Sequence, residues 1–92
     1  MKAYIAGPMT GYENFNREAF FEAAKKLEEL GWEPVHTADL PGGLAYEEYL
    51  EKSLRAIAGC DAICLLHGWE YSKGALMEYG YARSRNLLEI RI

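Results

Sequence analysis

Cysteine is scarce, with two in 92 residues, Cys60 and Cys64. They flank or lie in one predicted strand. At ~3.3 Å per residue they stand ~13 Å apart, too far for a disulfide. Two reduced, packed thiols in a cytoplasmic protein are the simplest reading. Histidine is as rare, with His36 and His67 showing no ligand-like spacing to the cysteines, so no metal site is expected. No apolar run approaches the ~20 residues of a membrane helix. The start, MKAYIAGPM, has neither a long apolar region nor a small-residue cleavage site, so no signal peptide is expected. Basic charge is also short: ten Lys and Arg face fourteen Asp and Glu, for a net charge of −4. The bases form no block, which argues against duplex nucleic acid or an anionic membrane as partner. A small anion stays open, because a loop of backbone N–H groups binds one without a basic patch. Internal repeats, linkers and low-complexity segments are missing too.

What remains is a chain in which half the residues are hydrophobic. Its length suits one domain, residues 1–92. A domain this small buries about 60–65% of its unfolded surface, so contacts from a second subunit would help it. Asp61 to Ala82 organises the rest. Ala62 to Leu66 is an apolar run without alternation, the mark of a strand covered on both faces. His67 to Tyr71 reads as a loop. A helix then starts at Ser72, whose hydroxyl suits an N-cap. Glu78 lies inside that helix, on a face shared with Gly74, Ala75, Tyr81 and Ala82. Small and aromatic residues of that kind pack closely on a sheet, so a carboxylate among them marks either a helix rotated out of this register or a group placed toward a cleft.

The other elements follow in order. Ala3 to Ala6 is a first strand, and GPMTG, residues 7–11, a tight turn with exposed backbone. Asn14 or Asn16 is expected to cap a helix carrying Phe20, Ala23, Ala24, Leu27 and Leu30 at helical spacing. Gly31 ends it in a left-handed conformation. Trp32 to His36 is a second strand, placed at an edge by Pro34. Thr37 to Gly43 is a loop. A helix runs from about Ala45 to Ala58, with Tyr46, Tyr49, Leu50, Ser53, Leu54 and Ile57 on one face. Leu87 to Ile92 is the last strand. Strands alternating with helices predict a three-layer α/β fold of the flavodoxin or Rossmann kind. Its four-stranded parallel sheet takes the order 2-1-3-4, with helices on both faces. Ligands bind such sheets beyond the strands' carboxyl ends, where the winding reverses. Here that point lies between strands one and three, where GPMTG meets HGWEYSKG.

The chemistry follows from that meeting. The N–H groups of the helix beginning at Ser72 favour an anion. Ser72 adds a hydroxyl donor, and Gly74 lets a ligand approach the backbone. A nucleotide suits this arrangement, with phosphate at Ser72, sugar over Glu78, and base against Trp69 or Met9. A carboxylate near an anomeric carbon attacks it or stabilises an oxocarbenium-like state. Tyr4, in strand one, is placed to orient that carboxylate. His67 is a polar loop residue, and the tyrosines at 46, 49, 79 and 81 read as packing or subunit contacts.

YIAGPMTG and CDAICLLHGWEYSKGALMEYGYA resemble the nucleoside 2-deoxyribosyltransferase-like superfamily, and within it the small bacterial and phage proteins of the DUF4406 type. The resemblance covers nearly the whole chain. It implies that Glu78 is the nucleophile cleaving the N-glycosidic bond of a (deoxy)nucleoside and that Tyr4 positions it. Deoxyribosyltransferases of that superfamily often carry aspartate six residues before the glutamate. Its nucleoside 5′-monophosphate N-glycosidases carry serine there to hold phosphate. Ser72 therefore implies a phosphorylated ligand, with Gly7, Met9, Thr10 and Gly11 contacting phosphate and base. The superfamily's second-helix aspartate falls here on Ser53, which faces inward but cannot do acid–base work near neutral pH. Asp61, at the amino end of its strand, does not replace it. An N-glycosidase is expected first, with a deoxyribosyltransferase or a binding protein without turnover as alternatives. No cofactor is implied. At least a homodimer through helices two and three is.

Overall fold

The structure is a computed structural model, and it describes residues 1–38 and 45–92. The loop expected over Thr37 to Gly43 lies mostly outside the described residues. Among the described residues, strands and α-helices alternate: β1 (Lys2–Ala6), α1 (Arg17–Glu29), β2 (Glu33–Val35), α2 (Tyr46–Ala58), β3 (Ala62–Leu65), α3 (Lys73–Ser84) and β4 (Leu88–Ile90). All strand pairs are parallel, in the order β2-β1-β3-β4. The predicted architecture and strand order are those observed. Pro34 sits in the edge strand opposite Ala3, where a missing N–H costs no ladder bond. Among the described residues, no helix is long and apolar enough to cross a membrane.

The pleat of β1 sorts its residues between two cores. Ala3 and Ile5 face α1 and pack with Phe20, Ala23 and Leu27. Tyr4 and Ala6 face the other way, toward α2 and α3, with Ile57, Ala75 and Ala82. This two-residue period aims Tyr4 at the same layer as Glu78. Ala75, Glu78 and Ala82 are the buried residues of α3, a stripe at three- and four-residue spacing. The two alanines let the helix lie close on the sheet and leave Glu78 as the one large group beneath it.

The helix ends follow backbone rules. Gly31 takes φ +92° after α1, and Trp32 N–H donates to Leu27 O at 2.9 Å. Asn86 does the same after α3 with φ +59°, and Leu87 N–H donates to Ala82 O. Both are Schellman closures, which satisfy carbonyls otherwise orphaned. Ser72 caps α3, accepting from Ala75 N–H at 3.2 Å. The start of α1 differs from expectation. Asn16 precedes the helix in a left-handed conformation and makes no side-chain cap. Its amide instead donates to Pro8 O at 3.0 Å, because the left-handed backbone turns it back on the first loop. Asp61 accepts from Lys2 N–H at 2.9 Å, tying β3 to β1 at their amino ends.

Candidate active site

The loop after the carboxyl end of β1 and Thr37 after β2, together with the starts of α2 and α3, surround a cavity of about 650 Å³. Gly7, Pro8, Met9 and Thr10 form one wall, and Ser72, Lys73, Gly74, Ala75 and Glu78 the opposite one. Thr37, Tyr46 and Tyr49 close it on the β2 side, and Tyr12, Phe15, Arg17 and Tyr71 complete the lining. Its volume suits a ligand of nucleotide or drug size.

Glu78 is 3% exposed, so its register on the sheet-facing stripe is settled. Tyr4 O–H donates to its Oε2 at 2.7 Å. Burial pushes the carboxyl up from 4.5 to about 7, opposed by the hydroxyls of Tyr4 and Ser53. Burial disfavours the charged form of an acid, so the carboxyl holds its proton to higher pH. The same burial, with Glu78 nearby, raises Tyr4 well above the usual tyrosine range, so Tyr4 stays a hydrogen-bond donor at any ordinary pH. Among the described residues, Glu78 is the only acid lining the cavity, while Arg17 and Lys73 supply positive charge. Arg17 is held by two bonds, from Nε to Ala38 O at 2.8 Å and from Nη1 to Asn14 Oδ1 at 3.2 Å. The amides of Lys73 and Gly74 open the helix and have no acceptor within it. The α3 start therefore presents N–H groups, a hydroxyl and a cation to the cavity that Glu78 enters from below.

Of the residues singled out in the sequence, Gly7, Met9, Thr10, Ser72, Gly74 and Glu78 line the cavity, and Tyr4 lies under it at 1% exposure. Three others lie outside the lining as well. Gly11 is exposed, with φ +85°, and serves the turn. Ser53 is fully buried on α2, where its hydroxyl donates to Leu50 O at 3.0 Å, and it neighbours Glu78 without lining the cavity. Trp69 packs against Tyr79 at 4.7 Å and under Arg91 at 5.6 Å. The short 3₁₀ turn at Trp69–Tyr71 carries the indole toward β4 and leaves Tyr71 at the rim. The expectation of a base against Trp69 is corrected accordingly. Gly7 has a packing reason of its own, since a Cβ there would lie 2.8 Å from Leu66 Cβ.

Sequence reasoning missed Thr37, Tyr46, Tyr49, Arg17 and Lys73. The tyrosines read as packing or subunit contacts, Thr37 as the start of a loop, and the two cations carried no reading of their own. Lys73, directly after the capping serine, carried the one usable signal. Among the described residues, no cluster of three His, Cys, Asp or Glu side chains could hold a metal ion.

Fold and site together define a doubly wound parallel α/β domain with a buried acid at its switch-point cleft. The chain belongs to the family described as domain of unknown function DUF4406, which it matches over residues 1–90. No curated protein matches it. Among solved structures it is similar to a 2-desoxiribosyltransferase from Leishmania mexicana, with a TM-score of 0.76 and 20% identity. That similarity covers 99% of this chain and 63% of the other. At this identity the likeness is one of fold, and the chain spans under two thirds of that protein.

Proposed function

We propose that the protein binds a (deoxy)nucleoside 5′-monophosphate in the cavity and cleaves its N-glycosidic bond through Glu78. One observation carries this reading: a buried carboxyl, held at 2.7 Å by a tyrosine, on the wall of a nucleotide-sized cavity beside a helix N-terminus. Phosphate sits at the amides of Lys73 and Gly74 and the Ser72 hydroxyl, where dipole and hydrogen bonds both favour an anion. The sugar then lies over Glu78. The carboxylate attacks the anomeric carbon, the bond to the base breaks, and water releases the sugar phosphate. With its acidity near pH 7, Glu78 is ionised in a substantial fraction of molecules at neutral pH. Met9 and the cavity's tyrosines offer apolar faces to the base.

A second reading is nucleotide binding without turnover. It is favoured by Ser53, and by the absence of a second acid among the described cavity residues. We also propose a homodimer through α2 and α3, which expose Tyr46, Leu76 and Met77; a monomer at micromolar concentration contradicts it.

Incubation with a panel of ribo- and deoxynucleoside monophosphates, followed by chromatography for free base, tests the main reading. Base released by the wild type and not by Glu78→Ala, with binding retained, supports it. Binding with no base from any nucleotide overturns turnover. Repeating the incubation with an added free base separates hydrolysis from transfer to another base.

A further inference from the structure

Arg17 is a cation in the cavity that the reaction as described does not use. It lines the cavity from the first position of α1, and its side chain is tethered. Nε–H donates to Ala38 O at 2.8 Å and Nη1–H to Asn14 Oδ1 at 3.2 Å. Ala38 is fully buried, so the first tie is to backbone inside the core. The Phe15 ring lies 5.2 Å from the guanidinium carbon. That ring is half-exposed and also lines the cavity. The backbone is strained where it places these groups. Asn14, Phe15 and Asn16 take left-handed φ values of +52°, +55° and +61°. Residues with a Cβ disfavour that region, and such outliers gather at functional sites. Here the strained turn lets Asn14 hold the guanidinium while the Asn16 amide binds Pro8 O at 3.0 Å.

Strand order tells which part of a nucleotide Arg17 meets. Across the sheet the strands run β2, β1, β3. The start of α3 follows β3, the Tyr4–Glu78 bond stands on β1, and the Ala38 anchor follows β2. From β3 to β2 is two strand spacings, about 10 Å, the scale of an extended nucleoside monophosphate. With phosphate at the α3 start and sugar over Glu78, the base falls on the β2 side, beside Arg17. Guanidinium N–H groups only donate. A base edge facing them must offer acceptors, as guanine does with N7 and O6 and pyrimidines do with their carbonyls. Adenine sets an amino donor next to N7, so its edge opposes donor to donor.

We propose that Arg17 is a specificity-determining residue that reads the edge of the base and selects oxo bases over adenine, held in place by Ala38, Asn14 and the left-handed turn. The proposal deepens the nucleotide reading of the cavity and rests on it for binding, but not for cleavage. A tethered, planar fork gives the direction of its donors as well as a charge, and lysine would keep only the charge. A phosphate-binding role for Arg17 would instead act on every nucleotide alike, whatever its base.

The test is titration calorimetry on protein carrying Glu78→Gln, so that no base is released. The ligands are GMP, CMP, UMP and AMP, their deoxy counterparts, and 2-deoxyribose 5-phosphate, which has phosphate and sugar but no base. The adenine nucleotide should bind about tenfold or more weakly than the tightest oxo nucleotide. Arg17→Met and Arg17→Lys, added to that background, should each shrink the ratio to about threefold or less. Affinity for 2-deoxyribose 5-phosphate should fall far less in Arg17→Met than affinity for the tightest nucleotide. Amide spectra establish that each variant is folded. Equal binding of adenine and oxo nucleotides overturns the proposal. So does a ratio that survives in both folded variants. A loss for 2-deoxyribose 5-phosphate as large as that for the nucleotide also overturns it, and makes Arg17 a phosphate ligand. Protein that binds none of these compounds overturns the nucleotide reading and this role together. Protein that shows the ratio but never cleaves a nucleotide keeps the role of Arg17, and an enzyme that cleaves without the ratio loses only that role.

Discussion

Replacing Glu78 by Gln should make the fold more stable relative to the wild type as pH rises, while ending any cleavage. Burial holds the folded carboxyl near 7 against an ordinary value of 4.5. Between those values the folded state keeps a proton that the unfolded chain has lost. Stability therefore falls as pH rises through the window, and the loss is complete above about 7. At about 1.36 kcal/mol per pH unit, the whole loss is about 3 kcal/mol. Glutamine is neutral at every pH and keeps an oxygen for Tyr4 O–H. Its NH₂ adds a buried donor costing about 1–3 kcal/mol if unpaired, but that cost does not change with pH. Other titrating groups are common to both proteins and cancel. From pH 5 to pH 8 the stability difference should thus move toward the variant by about 2–3 kcal/mol. Urea unfolding at both pH values, read from the fluorescence of Trp32 and Trp69, measures it. A difference that stays flat between pH 5 and pH 8 would refute a neutral, buried Glu78, whatever the activity shows.

Two other substitutions separate packing from ligand contact. Gly74→Ala meets nothing closer than Ser72 Oγ at 3.9 Å, so thermal stability should hold or rise by about 0.5–1 kcal/mol. If a phosphate approaches that backbone, calorimetry should show affinity for a nucleoside monophosphate falling about tenfold, equivalent to about 1.4 kcal/mol; unchanged affinity would remove phosphate from the α3 start. Trp69→Phe takes away a buried indole N–H that has no partner among the described residues. It should leave nucleotide affinity unaltered, and a clear loss in the same titration would return Trp69 to the site.

The local pattern of the chain determined a good deal. Strand and helix order, the parallel sheet and its winding follow from apolar runs, turn residues and the handedness of crossovers. Glu78 was legible because helical spacing alone sets it between Ala75 and Ala82. Tyr4 followed, since a strand's alternation turns it to the same side. Both are short-range inferences, resting on periods of 3.6 and 2 residues. Tertiary structure decided what joins them. The Tyr4–Glu78 bond spans 74 positions, and the Tyr4–Thr37 contact 33. Tyr49 reaches the same point only because α2 begins over the end of β2. Trp69 went the other way: a single 3₁₀ turn, three residues long, carried it from the cavity to the β4 side. Periodicity tells which face a side chain is on, whereas convergence of side chains from distant segments depends on how the layers pack, and no local pattern in the sequence encodes that.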